Sequence, residues 1–137
     1  MQNPVGKGVL FDTGRSYDEY AILDMFSQNR LIGYGSAKHY VRYIHRGDVV
    51  FFSHKWCGLV AAARVTGPLY QAEEQIWYRE VAFLTKKPIA RDHLPFMPQV
   101  KVAAFLGRRL YSGRIKKVPY LKPSEALGLL AELEQYL

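Results

Sequence analysis

The chain of 137 residues contains a single cysteine, Cys57. No internal disulfide is possible, and the composition suits a reducing cytosol, so a cytoplasmic setting is expected. The four histidines, His39, His45, His54 and His93, make no metal-ligand spacing with that cysteine, which gives no reading for a zinc site. There is no Ser-x-x-Lys element, no Gly-rich phosphate loop and no nucleophile paired with a base in sequence. No cofactor is therefore expected, and a binding module is favoured over an enzyme. Long apolar runs are also missing: Leu59 to Ala63 is far too short to cross a bilayer. The first ten residues lack a charged start followed by an apolar core, so no secretory leader is expected.

Acidic residues are scarce. Twelve Asp and Glu stand against nineteen Lys and Arg, for a net charge of +7. The shortage is uneven. Met25 to Gly47 contains Arg30, Lys38, Arg42 and Arg46 with no acid. Lys101 to Lys122 contains Lys101, Arg108, Arg109, Arg114, Lys116, Lys117 and Lys122, again with no acid. Two such stretches make one positive face if the fold joins them, and such a face attracts phosphates. The expected phosphate contacts are Lys38, Arg42, Arg46, Lys55, Arg108, Arg109, Arg114, Lys116 and Lys117. Each of these alone is more often a solvated surface charge.

What is present reads as one domain over residues 1–137. Gly8 to Asp12 (GVLFD) is a short buried strand ended by Thr13-Gly14. Ser16 with Glu19 three residues on resembles a capping box, and a helix follows to about Gln28-Asn29. Leu31 to Tyr34 is short and apolar. Ser36 caps a second helix through Ile44, with Tyr40, Val41 and Ile44 inward and Lys38, Arg42 and Arg46 outward. Gly47-Asp48 is a turn into the strand Val49 to Phe52. A hairpin loop at Ser53 to Trp56 leads to the strand Gly58 to Thr66, paired antiparallel. Trp77 to Leu84 alternates and reads as a half-exposed strand. Lys86 to Pro98 is a loop, Val100 to Leu106 is helix or strand, and Gly113 to Val118 is a last strand. Pro123 to Tyr136 is a helix with Leu127, Leu130 and Leu133 as its apolar stripe. Strands cluster mid-chain, so the expected class is α+β with a curved, mostly antiparallel or mixed sheet and flanking helices.

The ordered segments GVLFDTG, SYDEYAILDMF, LIGYGS, KHYVRYI, RGDVVFFSH, CGLVAAARVTGPLY and IWYREVAFL resemble the EVE domain, a PUA-like module related to YTH and ASCH domains. The ending KKVPYLKPSEALGLL is similar to that of YTH domains. The resemblance runs from about Gly8 to Leu133. It implies a PUA-like sheet or partly open barrel that binds DNA or RNA and holds a modified or flipped base, with any effector protein supplied in trans. Tyr34-Gly35-Ser36 lies where YTH readers have Trp-x-Ser, a departure from their pattern.

A base offers two flat faces and a polar edge, so its pocket needs aromatic planes and a few fixed donors or acceptors. Stacking is worth roughly 1–3 kcal/mol per base. By the resemblance, Tyr34 is the first wall and Trp77 the second, the two rings facing each other across one hollow. Asp12 and Thr13 meet the base edge, a carboxylate at Asp12 accepting from an exocyclic amine. Ser36 is a pocket polar group or a helix cap. Trp56, in a loop, is a lid. The alternative is an ASCH-like small-molecule binder, or a hydrolase acting on modified nucleosides, on which Asp12, Lys38 and Glu80 converge.

Overall fold

The computed structural model describes residues 6–12, 26–34, 41–54, 58–73, 76–86, 95–107 and 120–137. The strands in it are β1 (Gly8–Asp12), β2 (Arg30–Tyr34), β3 (Val49–His54), β4 (Gly58–Val65), β5 (Tyr70–Glu73), β6 (Ile76–Phe83), β7 (Met97–Pro98) and β8 (Tyr120–Leu121). The described helices are α1 (Gln99–Leu106) and α2 (Pro123–Glu134). Together the described strands make one mixed sheet in the order β2-β6-β4-β3-β1-β8, with β5 on β6 and β7 on β4. It is open, with β2 and β8 at its two ends. The expected α+β class and curved mixed sheet are what the chain adopts.

The middle strands are apolar on both faces because both faces are covered. Along β1, Val9 and Phe11 enter one core cluster, while Leu10 enters the other. Along β3, Val50 and Phe52 face the first cluster, and Val49 and Phe51 the second. Burial on both faces is what turns a strand into a continuous apolar run. Cross-strand size matching explains the alanines of β4. Phe51 pairs with Ala62 and Phe52 with Ala61, so each large ring has a small partner and the layers interdigitate. Phe26, Phe52 and Phe83 then meet edge-on or stacked, with ring centroids 5.2 to 5.7 Å apart.

Two pairings depart from a simple antiparallel meander. β1 lies parallel to β3, Gly8 beside Val49 and Asp12 beside Ser53. A parallel pair needs a long crossover, and the chain between Asp12 and Val49 supplies it. β6 changes neighbours along its length: Val81 to Phe83 pair with β4, whereas Ile76 to Glu80 pair with β2. The N-terminal half of β6 thus leaves the central sheet and makes a ribbon with β2 and β5.

The turn at Gly47-Asp48 is a buried anchor. Gly47 adopts a left-handed φ of 94°, which suits glycine. Asp48 is 4% exposed, and its Oδ2 accepts from Lys7 Nζ at 2.6 Å and from the His45 backbone N–H at 2.8 Å. Val41 and Ile44 are buried while Arg42 and Arg46 are exposed, as the amphipathic reading of that segment required.

Several sequence readings shift. The 53–56 hairpin loop is shorter, because β3 continues through Ser53 and His54 with a register slip after Phe52. Val100 to Leu106 resolves as helix, closed by Gly107 at φ 70°. β7 lies at the end of the segment read as loop, and β5 follows Gly67-Pro68. The proposed strand Gly113 to Val118 and the helix begun at Ser16 fall mainly outside the described residues. The buried side of α2 is Ala126, Leu129 and Leu133, with Leu127 exposed. A small residue is needed there: a Cβ on Gly8 of β1 would stand 2.9 Å from that of Ala126. Leu133 is buried and Leu130 partly buried against the same core, as expected, while Leu127 gives its place to Ala126.

Candidate nucleic-acid interface

Arg30 to Tyr34 pair antiparallel with Glu80 to Ile76. Residues opposite one another share a face of the pleat, and neighbours along a strand take opposite faces. One face therefore carries Leu31 and Gly33 against Arg79 and Trp77, followed by Val81. The other carries Arg30 and Ile32 against Glu80 and Tyr78, followed by Ile76. The burial of β6 follows this alternation, with Arg79 and Val81 buried and Glu80 and Ala82 exposed.

The first face is covered at Arg79 and Val81, and on the second Ile32 is buried with Ile76 and Tyr78 partly buried against the same core. Trp77 is half-buried in register with buried Gly33, its indole nitrogen out of solvent. Arg79, 8% exposed, donates from Nε to the Val41 carbonyl at 3.0 Å and reaches the Gly67 carbonyl at 3.5 Å. Burial lowers its pKa from the ordinary guanidinium value, and the charge of Asp48 offsets part of that. Arg79 thus ties the ribbon to the 41–44 turn and to the end of β4.

Tyr34 and Trp77 come close along the ribbon in neighbouring register pairs, Tyr34 with Ile76 and Gly33 with Trp77. Only the backbone position of Tyr34 is described. Asp12, likewise known by its backbone, pairs with Ser53 on β3. In strand order the end of β1 is separated from β2 by β3, β4 and β6, so only sheet curvature can bring Asp12 towards Tyr34. Thr13, Ser36 and Trp56 lie outside the described residues. Of the expected phosphate contacts, Arg42 and Arg46 are exposed on the turn before β3. Lys38, Lys55, Arg108, Arg109, Arg114, Lys116 and Lys117 lie outside the description. For the hydrolase alternative, Glu80 is an exposed residue of β6, Asp12 belongs to β1, and Lys38 is outside the described residues.

The second face holds a group that sequence reasoning missed. The rings of Tyr70 and Tyr78 stack at 5.2 Å with 26° between planes. The Arg30 guanidinium lies over Tyr78 at 4.3 Å from the ring centroid. Because β5 and β2 flank β6 on opposite sides, the three form a row, Arg30 then Tyr78 then Tyr70. The available signal was the alternation of WYREVAFL, which puts Tyr78 on the face away from Arg79. The partner strand β5 was not legible.

No family model and no curated protein matches the sequence. Solved structures do match its fold. The Toxoplasma CPSF4 YTH domain in apo form superposes with a TM-score of 0.66 at 8% identity, covering 100% of this chain and 91% of that one. The chain has the fold of a YTH domain. The Toxoplasma CPSF4 YTH domain in complex with a 7-mer m6A-modified RNA gives 0.64 at 9% identity, over 97% and 93%. The Mmi1 YTH domain complexed with RNA gives 0.62 at 10% identity, over 96% and 79%. The YTH fold accounts for the layout from β1 to α2.

Proposed function

We propose that this chain is a nucleic-acid-binding module, without catalytic activity, that holds one modified or flipped base at the Tyr34 end of the β2–β6 ribbon. The observation that supports this reading is the whole-chain likeness of fold to YTH domains, two of which were crystallised with RNA. RNA is accordingly the first polymer to test, with DNA beside it. Within the PUA-like group we assign the chain to the EVE side, because Tyr34 stands where YTH readers carry tryptophan.

The roles divide between the two aromatic residues. Tyr34 is the stacking wall. Trp77, opposite Gly33 in register, stiffens the ribbon end. Asp12 and Thr13 supply the edge contacts, Ser36 a further polar group and Trp56 the lid. Phosphates are met by Arg42 and Arg46 together with Lys38, Lys55 and the basic stretch Arg108 to Lys117. The test is a fluorescence-anisotropy titration with plain and base-modified RNA and DNA oligonucleotides across salt. Binding that weakens as salt rises and prefers one modified base supports the reading. Absence of binding to every oligonucleotide at low salt ends it.

A further inference from the structure

We propose that the outer face of Tyr70 is a second base-stacking position, which takes another nucleotide of the strand whose base is held at the Tyr34 end of the ribbon. The proposal rests on the nucleic-acid reading above and adds a contact to it. Three observations carry it. The row is ordered, with Arg30 closing one end over Tyr78 and Tyr78 stacked on Tyr70. The other end is open: β5 pairs only with β6 among the described strands, and Tyr70 is 40% exposed. The row also shares a face with Ile76, the register partner of the Tyr34 backbone. Ile32 pairs with Tyr78, and Tyr70 lies one strand beyond it, so the Tyr34 and Tyr70 backbone positions are two residues apart along the strands and two strands apart across them, roughly 12 Å. That separation exceeds one step between unstacked nucleotides and is spanned within a short single strand.

The chemistry of the row selects a flat ring as its occupant. A stacked tyrosine pair is a common cross-strand stabiliser, but that role needs only two rings and leaves the cation unexplained. Arg30 over the far face of Tyr78 fixes the plane of both rings before any ligand arrives. A preset ring loses little rotamer freedom when a base stacks on it. Glu80 stands opposite Arg30 in register and is exposed, so this face is unsuited to a phosphate and suited to a base. A proline-rich peptide needs an aromatic-lined groove, whereas the row presents a single ring face.

The experiment is a thermodynamic cycle on the full chain. Wild type, Tyr70→Ala and Tyr70→Phe are titrated with a short single-stranded RNA carrying the preferred base. Matched oligonucleotides carry an abasic residue at each flanking position in turn, and a proline-rich peptide is the competing probe. Tyr70→Ala is expected to weaken the oligonucleotide roughly 5- to 100-fold and to leave the preferred nucleoside monophosphate unaffected, while Tyr70→Phe binds like wild type. One flanking abasic substitution should weaken wild type and have no further effect on Tyr70→Ala. If wild type binds RNA and Tyr70→Ala binds it equally, with no coupling at any position, this proposal falls and the base-pocket reading stands. If wild type binds the peptide through Tyr70 and shows no coupling to any base, the occupant is overturned. If wild type binds no oligonucleotide, both readings fall together. Far-UV circular dichroism and the urea midpoint confirm that each variant is folded.

Discussion

Arg79 shows how a single side chain can mislead and then explain. In WYREVAFL it occupies a slot that alternation assigns to the buried face, although arginine is rarely buried unless paired. The structure supplies the partners: the Val41 and Gly67 carbonyls, with Asp48 as the nearby counter-charge. Removing the guanidinium leaves those carbonyls and Asp48 under-compensated. Arg79→Met is expected to lower stability by about 2–3 kcal/mol, read as a lower urea midpoint with an unchanged m-value. The two candidate wall residues should separate in the same assays. Trp77→Ala removes the half-buried indole opposite Gly33 and should cost about 2–3 kcal/mol of stability as well as affinity. Tyr34→Ala should cost roughly 1–3 kcal/mol of base binding and leave the unfolding midpoint near wild type. Equal effects of both variants on stability would contradict the division of roles proposed for the two residues.

Among the elements, legibility followed burial. β1, β3 and β4 were readable because their two covered faces force an unbroken apolar run, and β6 because its alternation is regular. β5, β7 and β8 were not, since strands of two to four residues carry no period and exist only through the pairing they find. In α2, Leu130 and Leu133 pack on the core as read, while Leu127 yields to Ala126 because the sequence does not display the close approach of Gly8. Likewise Tyr34 and Trp77 could be placed near one another by resemblance, but only the pairing of β2 with β6 shows Trp77 opposite Gly33. Gly58 marks another contact invisible in sequence. It has φ 152°, and a Cβ there would run into the Met97 carbonyl of β7. Gly58→Ala should therefore push β7 off β4 and destabilise the fold by about 1–3 kcal/mol, measurable by thermal or urea unfolding. A variant as stable as wild type would show that β7 does not pack as described.

For the molecule as a whole, the class and the order of segments were legible from Gly8 to Leu133, and the likeness to YTH domains over 96 to 100% of the chain agrees with them. At 8 to 10% identity that likeness concerns fold, and the functional proposal takes its pocket residues from the sequence resemblance. Its net charge of +7 makes the salt response the most direct readout. Each phosphate neutralised on a single strand contributes about −0.7 to the slope of log Kobs against log salt. The decisive measurement is the titration of the intact chain with a labelled single-stranded RNA over a range of salt concentrations. The account predicts saturable binding with a slope of about −2 or steeper, and loss of affinity in Tyr34→Ala. Saturable binding that ignores salt and survives that substitution, or no binding at the lowest salt, would contradict it.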